Sequence, residues 1–550
     1  MHSNKFLIAA AMCAGVLEAQ MSGPFVIDPS SGPGVFHSFT EAVNALFVNG
    51  VNGPVDVFVF PGTYNESVLV PPISGTSAVN VVTFRAIAGP GTVSIAGGAG
   101  DTFALLAVSF LHSRSLVWDG IDFAGGPGFA ISGTGYCEDI EVRNCSFAPN
   151  QRNNSAGEFR HALIVADLRG GEIGWRIHHN RMTIPNRLSR TAYGIYVQQG
   201  GNWEIHHNSI DLNGCSHGIY LINDNTRLDS IYDNLIFGSL ASNTGSSASS
   251  VSAISVDVSN FNNDIAHNTF VVTIPTTGSI ISSAGFGTNL NRMYGNVFVL
   301  LAGGTCISSD TYNSPPQYIF LSDGNDFWAP AGEIGRLGSS NPGFTTLAAW
   351  QAASGRDLNS INADPLLVNT SVLPFDLHPL PASPVKNAAT NTPAIVTTDF
   401  DGRLRDATPD IGAYELSGFA FYGLGCAGTG GLVPAIGNTG TIAIGSANFA
   451  VTVSQANANS VAILLAGFSR TVFNSVPLPF DIGGGCSVQA APDLTFLAFT
   501  DPGGAGSFTT GIPNNPLLIG LSVFFQWGVV DPNSGSSLGA TVSNAGALQL

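Results

Sequence analysis

Two histidine pairs recur among nearly identical neighbours, in "WRIHHN" (175–180) and "WEIHHN" (203–208). Imidazole is a common metal ligand and the side chain that changes charge most readily near neutral pH. The two pairs could therefore be half of a metal site, or they could be one phrase of a structural repeat. A metal site needs ligands that converge on one point, whereas a repeat spaces them along a line. We favour the repeat and expect no structural ion at the four histidines, which are His178, His179, His206 and His207.

A second group of residues could abstract a proton from a sugar acid. This chemistry needs a cation that neutralises the carboxylate, a base for the C5 proton, and an acid for the leaving oxygen. Arginines occur beside histidines and tyrosines in the same part of the chain. We predict that the cation is Arg160 or Arg190, that the base is His161 or His217, and that the acid is Tyr193.

The spacing of these residues indicates neighbouring strands of one sheet. Four segments align, namely "HALIVAD" (161–167), "YGIYVQQ" (193–199), "HGIYLIND" (217–224) and "SAISVDV" (252–258). The alignment predicts an inward column of Leu163, Ile195, Ile219 and Ile254. It also predicts two outward columns, one of His161, Tyr193, His217 and Ser252, and one of Ile164, Tyr196, Tyr220 and Ser255. Tyr196 and Tyr220 are predicted to stack against sugar rings, although strands also favour tyrosine without any such role.

The elements that would position both groups follow from an asparagine that recurs every 26–36 residues. It occupies positions 144, 180, 208, 234, 268, 296 and 325. A period of this length indicates a solenoid, and apolar residues that alternate after each Asn indicate short strands. We expect each Asn to turn a corner in the left-handed conformation and to hydrogen-bond the Asn of the next coil. Asn325 is expected to depart from the column, because an irregular segment follows it.

Composition supports stacked strands and excludes disorder. The 550 residues include 66 Gly and 31 Pro, with 44% hydrophobic and only 10% charged residues. The formal net charge is −18, which disfavours nucleic acid as a partner. Residues 143–190 depart from this negative balance, because they include eight arginines and three acidic residues. This stretch could hold an anionic ligand, or its arginines could be solvated loop residues.

Both ends of the chain differ from the repeat. Residues 1–19 have one lysine followed by an apolar run, which is typical of a secretory signal peptide. No later run is long enough to cross a membrane, so we expect a secreted or cell-surface protein. Residues 418–550 lack the Asn repeat, and their short alternating strands predict a separate β-sandwich. We expect Cys426 and Cys486 to form a disulfide there, while the pairing of the other four cysteines stays open.

The ends of the repeat resemble a known family. "FHSFTEAVNAL" and "VDVFVFPGTYNESVLVP" are similar to the opening of exported bacterial right-handed parallel β-helix proteins of the pectin-lyase-like superfamily. Ser38 and Glu41 would form the capping box of a helix that covers the first coil. "TTLAAWQAASGRDLNSINADPLLV" (345–368) and "DFDGRLRDATPDIGAYEL" (399–416) resemble the closing segments of such proteins. The resemblance implies a right-handed parallel β-helix over residues 24–416, and residues 418–550 resemble a C-terminal module that we expect to serve in surface attachment.

Two functions of different classes fit this sequence. One is a lyase or epimerase that acts on polysaccharide at the predicted site, and the other is a non-catalytic surface or adhesive protein. Family lyases bind calcium through clustered acidic residues, and the absence of a local acidic cluster argues against calcium-dependent chemistry here. We predict no cofactor, a monomer, and extracellular polysaccharide, neutral or anionic, as the partner.

Overall fold

The computed structural model describes most of the chain, in seventeen segments. These are residues 20–30, 35–96, 106–124, 129–148, 160–167, 172–184, 191–198, 200–222, 228–241, 251–257, 262–274, 278–285, 291–311, 320–338, 342–416, 418–518 and 521–550. The predicted signal peptide, residues 1–19, lies outside them. The chain divides into two compact units, residues 1–154 with 164–176, and residues 155–163 with 177–550.

The first unit consists of short parallel strands in three sheets. One sheet contains Met21–Ile27, Val51–Val59, Val82–Ala86, Arg114–Asp119 and Glu138–Arg143, which also pairs with Glu172–Ile173. The second contains Gly62–Tyr64, Val93–Ile95, Ile121–Ala124 and Ser146–Ala148, and the third contains Val68–Val70, Leu106–Leu111 and Phe129–Thr134. Burial alternates along these strands, as in Val51–Val59, where every second residue from Val55 onward is a buried valine. The strands therefore turn one apolar face inward.

A helix covers the interior of the first unit, as predicted. It runs from Phe39 to Asn49. Ser38 is its N-cap residue, and the Ser38 side chain accepts the N–H of Glu41 at 3.1 Å. The Glu41 carboxylate accepts the N–H of His37, the residue before the cap, at 2.7 Å, one residue earlier than a standard capping box would have it. The Phe39 ring stacks on the buried Trp118 ring at 5.6 Å. The helix therefore closes an apolar stack that would otherwise be exposed to water.

The second unit repeats the arrangement of three parallel sheets. One sheet contains Glu204–His206, Leu228–Tyr232, Asn262–Ala266, Asn291–Tyr294 and Phe320–Asp323. The second contains Arg181–Thr183, Ser209–Asp211, Leu235–Ser239, Thr269–Thr273, Val297–Ala302 and Asp326–Trp328. The third contains Thr191–Gln198, His217–Ile222, Ser252–Asp257, Ser279–Gly285, Thr305–Thr311 and Glu333–Leu337. Arg160–Asp167 and Arg176–His178 contain residues of both units, and Gly200–Gly201 is a short additional strand.

The predicted registers are confirmed where the structure describes them. Ile195 pairs with Ile219 and Ile219 with Ile254, and these side chains are fully buried in the interior. Tyr193 pairs with His217, and Tyr196 with Tyr220, as the alignment predicts. The predicted fold class, an all-β parallel β-helix followed by a smaller β-sandwich, is confirmed.

Amide hydrogen bonds join successive coils of the second unit at one corner. From Asn208 onward, each asparagine side-chain oxygen accepts both the backbone N–H and the side-chain N–H of the asparagine one coil before it. The amide ladder comprises Asn180, Asn208, Asn234, Asn268, Asn296 and Asn325, with donor–acceptor distances of 2.8–3.1 Å. The expectation that Asn325 departs from this column is wrong, because its oxygen accepts from Asn296. The side chains of the ladder asparagines are buried, so each bond forms away from water.

The expected left-handed conformation belongs to the residue before each ladder asparagine. The φ values are 52–56° at His179, His207, Asp233 and His267. They are also positive at Gly295 and Gly324, which precede Asn296 and Asn325. Asn144 also has a positive φ of 57°, and the buried Cys145 comes next. Asn144 therefore corresponds to the left-handed position and not to the ladder, so its predicted place in the column is wrong. The left-handed turn and the coil-to-coil hydrogen bond, which the sequence pattern predicts for one asparagine, are thus divided between two adjacent residues.

The ladder ends at the first closing segment. Helix Leu347–Ser354 places Trp350 against Phe320, with ring centroids 5.9 Å apart. The indole N–H donates to Asp357 Oδ2 at 2.7 Å, and Asp357 Oδ1 accepts from the Asn325 amide at 3.1 Å. Ser360 Oγ accepts the N–H of Asn325 at 2.9 Å. A carboxylate and a hydroxyl thus replace the asparagine that a further coil would have supplied.

The second closing segment, residues 399–416, lies along the left-handed corners and is called the strap here. The Arg405 guanidinium contacts Asp233 Oδ1 at 2.6 Å and Glu415 Oε2 at 3.2 Å, and all three side chains are at most 2% exposed. The His267 ring nitrogen Nδ1 donates to the Asp410 carbonyl at 3.1 Å. Burial raises the pKa of Asp233 to about 7 even though Arg405 lowers it. The strap is therefore attached by a dehydrated ion cluster.

Residues 418–550 form antiparallel sheets within the same compact unit as residues 177–416. The larger sheet has the order Gly418–Tyr422, Ala540–Gln549, Ser522–Val530, Val461–Gly467, Leu494–Phe499. The smaller sheet contains Ala435–Thr439, Ala450–Ser454 and Gly506–Thr509. Two short hairpins in this region are Val472–Phe473 with Val476–Pro477 and Phe480–Gly483 with Cys486–Val488, and 3-10 turns span Thr429–Gly431 and Pro516–Leu518. A further hairpin, Leu367–Asn369 with Asp376–Pro379, precedes the region.

The predicted disulfide between Cys426 and Cys486 is confirmed, and Cys137, Cys145, Cys215 and Cys306 are buried thiols. The boundaries 24–416 and 418–550 stay predictions. In the part of the chain that the structure describes, no helix combines the length and apolar character needed to span a membrane.

We predict that Asn234→Ala lowers the free energy of unfolding by about 2–4 kcal/mol, because two N–H groups of Asn208 would lose their buried acceptor. Urea unfolding followed by circular dichroism measures the change. Asn52→Ala is the control, since Asn52 is exposed. Equal unfolding midpoints for the two variants would contradict a stabilising ladder.

We also predict that Arg405→Met destabilises the protein by about 3–5 kcal/mol at pH 7, because buried carboxylates lose their cation. The loss should shrink as the pH falls towards about 3, where carboxyls are protonated in both the folded and the unfolded chain. Arg336→Met is the control, because Arg336 pairs with Glu333 at a partly exposed position where ion pairs contribute about 0–1 kcal/mol. A pH-independent loss would show that the charge of Arg405 is not the cause.

Candidate functional site

The structure brings four of the predicted site residues together in the second unit. The Tyr193 and His217 rings stack at 5.3 Å with a 13° angle between their planes, and the Tyr196 and Tyr220 rings stack at 5.7 Å and 8°. The two stacks touch, because the His217 and Tyr220 centroids are 4.8 Å apart. These four residues are called the aromatic cluster here. Adjacent strands of a parallel sheet produce such stacks whenever aromatic residues share a register position.

The aromatic cluster is buried, which differs from the expected outer face. Tyr193, Tyr196 and His217 are only 8%, 2% and 5% exposed, so the prediction of accessibility is wrong for them. Tyr220 is half-buried. The side chains of Arg160 and His161 are not among the described atoms, and Arg190 lies outside the described residues. The catalytic and sugar-binding roles of all seven residues stay predictions.

The electrostatics of His217 disfavour a role as base. Burial lowers the pKa of His217 to about 3, and its Nδ1 lies 2.9 Å from Ser252 Oγ. The imidazole is therefore neutral at neutral pH, but a base with so low a pKa takes up a proton weakly. The Tyr196 hydroxyl donates to Gln198 Oε1 at 2.9 Å, so it too has an internal partner.

Two of the eight clustered arginines are neutralised within the first unit. Arg143 contacts Glu141 Oε1 at 2.6 Å and Asp119 Oδ2 at 3.0 Å. Arg176 contacts Glu141 Oε2 at 2.6 Å. Arg181, in the second unit, is exposed. The arginines at 152, 169 and 187 lie outside the described residues, so the proposed anionic-ligand role of this stretch stays a prediction.

The first unit contains a cavity of about 560 Å³ that the sequence did not predict, and we call it the first-unit groove. One side is the segment between Pro72 and Thr76, and the other is formed by two neighbouring coils. Its lining comprises Pro72, Ile73, Ser74, Gly75, Thr76, His112, Arg114, Tyr136 and Glu138. Arg114 and Glu138 are register partners on adjacent strands. Ser113 ties the coil to the segment, because its hydroxyl donates to the Val70 carbonyl at 2.7 Å.

Two rings project into this groove from strained corners. His112 and Tyr136 have φ values of 49° and 63°, and their ring centroids are 6.4 Å apart with 21° between the planes. Bulky residues rarely adopt this left-handed conformation, which costs about 1–2 kcal/mol. Gly135 has no side chain that would obstruct the stack, since a Cβ there would lie 2.7 Å from the His112 ring. Tyr136 is nevertheless 61% exposed, so a strained backbone holds an aromatic face in water.

Sequence reasoning missed the groove because the repeat was followed only from residue 144 onward. The signal was present in the 24-residue spacing that separates His112 from Tyr136 and Arg114 from Glu138. "LHSRS" (111–115) and "GYCED" (135–139) have no residue type in common, so only the positions recur. Chemically, an exposed tyrosine face, a guanidinium and a carboxylate on adjacent strands can stack against a sugar ring and bind its hydroxyl or carboxylate groups.

The histidine pairs form a second cluster, called the histidine stack here, which comprises His178, His179, His206 and His207. Within each pair the two Nδ1 atoms are 2.8 Å apart. Between coils, the His178 and His206 rings stack at 4.7 Å and 4°, and the His179 and His207 rings at 4.7 Å and 17°. Ring nitrogens of His178, His179 and His206 all lie within 4.8 Å of one another.

One contact fixes the proton positions in half of this stack. His207 Nε2 lies 2.7 Å from the Asp399 carbonyl, which can only accept, so Nε2 carries the proton. Burial lowers the pKa of His207 to about 4, so the ring is neutral and its Nδ1 is an acceptor. His206 Nδ1 must therefore donate to His207 Nδ1. A hydrogen-bonded chain thus runs from His206 through His207 to the strap.

Comparison with known proteins adds structural matches only, since no family model and no curated protein sequence matches the chain. Pectate lyase Pel9A matches at 13% identity and a TM-score of 0.38, with 72% of this chain and 98% of that chain covered. Alginate lyase AlyGC matches at 11% identity and a TM-score of 0.31, over 71% of this chain and 58% of that one. The tailspike protein of E. coli bacteriophage HK620 matches at 11% identity and a TM-score of 0.30, over 96% and 86%. The three parallel sheets in each unit show the parallel β-helix fold that the resemblance of the sequence implied.

Proposed function

We propose that this protein binds extracellular polysaccharide without cleaving it, through the first-unit groove. The observation that carries the proposal is Tyr136, a bulky residue that is exposed although it occupies a left-handed corner. Strain of this kind is disfavoured unless the position is useful, and an aromatic face in water is a typical platform for a sugar ring. Because the groove is formed by adjacent coils, an extended chain could pass from one coil to the next.

The charged pair beside the platform indicates what the groove would recognise. Arg114 is exposed and Glu138 is half-buried, on neighbouring strands. Carboxylates accept hydrogen bonds from sugar hydroxyls, and guanidinium groups bind carboxylates in a bidentate manner. The groove therefore suits a chain with many hydroxyl groups, and Arg114 would favour one that also contains uronic acid.

The lyase or epimerase alternative rests on the aromatic cluster, which is a poorer candidate. Its rings are largely buried, and the low pKa of His217 makes it a weak base. Export and surface attachment, which the adhesive function requires, depend on the predicted signal peptide and on the role predicted for residues 418–550. Both stay part of the proposal.

We predict that Tyr136→Ala weakens oligosaccharide binding about tenfold, because a stacked aromatic contact contributes roughly 1.4 kcal/mol. Calorimetric titration of the full-length protein with neutral and uronate oligosaccharides measures the affinity. Phe499→Ala is the matched control, because Phe499 is 66% exposed in the C-terminal module. Arg114→Gln should weaken only the uronate ligands, and added salt should weaken the same ligands.

Two outcomes would contradict the proposal. Unchanged affinity in Tyr136→Ala, with intact folding by circular dichroism, would exclude the groove as the binding site. Formation of unsaturated uronate product by the wild-type protein would show that it is an enzyme. Loss of that activity in His217→Ala would return the function to the aromatic cluster.

A further inference from the structure

The histidine stack gathers ring nitrogens more closely than the sequence suggests. The spacing between successive coils is about 4.8 Å, and this spacing alone would distribute the histidine nitrogens along a line. Within each coil, however, the left-handed residue turns its ring back towards its neighbour. His179 has a φ of 56°, and its Nδ1 reaches to 2.8 Å from His178 Nδ1. Two such pairs lie on consecutive coils, so nitrogens are arranged in two directions and not in one.

These distances are close to those of a metal-ligand set. Metal–nitrogen bonds of about 2.0–2.1 Å place two nitrogens of one site about 3–4 Å apart. The 2.8 Å pair of Nδ1 atoms would have to open slightly, and the ring nitrogens of His178, His179 and His206, which lie within 4.8 Å of one another, would have to come closer by up to about 1 Å. A ring rotation about the last side-chain bond makes both changes, and it is needed because parallel rings do not aim at a common point. His178 and His206 are half-buried and His179 is exposed, so an ion can reach the three rings and the His179 ring has room to rotate.

The surroundings of the stack resemble the support that metal-bound imidazoles have in proteins. His207 is fixed by its hydrogen bond to the Asp399 carbonyl, and it orients His206 through their Nδ1 contact. The Tyr232 ring stacks on His206 at 4.6 Å and 7°, which limits the movement of His206 on the other side. Partners that orient a ligand in this way commonly change metal affinity about 10–100-fold when they are removed.

We propose that His178, His179 and His206 bind one borderline divalent cation, such as Cu²⁺, Zn²⁺ or Ni²⁺, at an accessible and reversible site. Neutral imidazole nitrogens select these ions over Ca²⁺ and Mg²⁺, which prefer oxygen. For both Nδ1 atoms of the His178–His179 pair to bind the metal, the proton between them would move to Nε2 of the ring that carried it, so that both rings stay neutral. Because the amide ladder holds the same coils together, the ion is not a structural one, and the proposal stands independently of the first-unit groove.

The test is a titration of the full-length protein with Cu²⁺ and with Zn²⁺ against a competing chromophoric chelator. We expect one equivalent to bind, and the double variant His178→Gln/His206→Gln to bind at least about tenfold more weakly. His37→Gln is the matched control, because His37 is a half-exposed histidine of the first unit. Electron paramagnetic resonance of the Cu²⁺ complex should show coupling to two or three imidazole nitrogens.

A supporting variant separates this site from scattered surface binding. His207→Ala should weaken Cu²⁺ binding about tenfold or more, although His207 is not one of the three ligands. Circular dichroism and the melting temperature verify that each variant is folded. Absence of binding, or an affinity that is equal in the wild type, the double variant and His37→Gln, would overturn the proposal. A chelator should leave the melting temperature of the wild-type protein unchanged, and a drop would show a structural ion instead.

Discussion

The amide-to-amide hydrogen bond between successive coils is the interaction on which the second unit depends. A coil of a parallel solenoid cannot bury its apolar face alone, so it must be held in register with its neighbours. A ladder asparagine such as Asn234 meets this need with one side chain. Its oxygen accepts two N–H groups of Asn208, and its amide donates to Asn268 Oδ1 and to the Ile205 carbonyl. The side-chain amide of Asn234 is thus hydrogen-bonded at both its oxygen and its nitrogen, although it is completely buried. A shift in register would leave several of these groups unpaired.

The residue before each ladder asparagine carries the complementary constraint. A left-handed backbone admits glycine, asparagine, aspartate and histidine more readily than apolar residues. The second unit uses Asp233 and His267 there, and both side chains contact the strap. A conformational preference therefore enriches the corners in side chains that can hydrogen-bond, titrate or bind metal. Histidine at this position is first a solution to a backbone problem, and its chemistry is available as a consequence.

The sequence predicted periodicity well and accessibility poorly. The registers of Ile195 with Ile219 and of Tyr196 with Tyr220 follow from alternation along a strand, which is a local rule. The cap at Ser38 and the disulfide between Cys426 and Cys486 also follow from local pattern or pairing. Burial of Tyr196 does not, because it depends on which segments lie over a strand, and no local pattern encodes that. The ion pair between Arg405 and Asp233 joins residues 172 positions apart, so it was equally inaccessible to the repeat pattern.

The same distinction explains why the better binding surface is found at a corner and not on a strand. An outward side chain on a strand, such as His217, is flanked by others at about 4.8 Å, and large neighbours cover one another. Burial then removes the His217 side chain from solvent and lowers its pKa. The imidazole therefore contributes to packing and is a poor base. At a left-handed corner the chain changes direction, and Tyr136 projects into water with the His112 ring beside it. The aromatic cluster and the first-unit groove thus have similar residue types, but only the corner geometry leaves an aromatic ring available to a ligand.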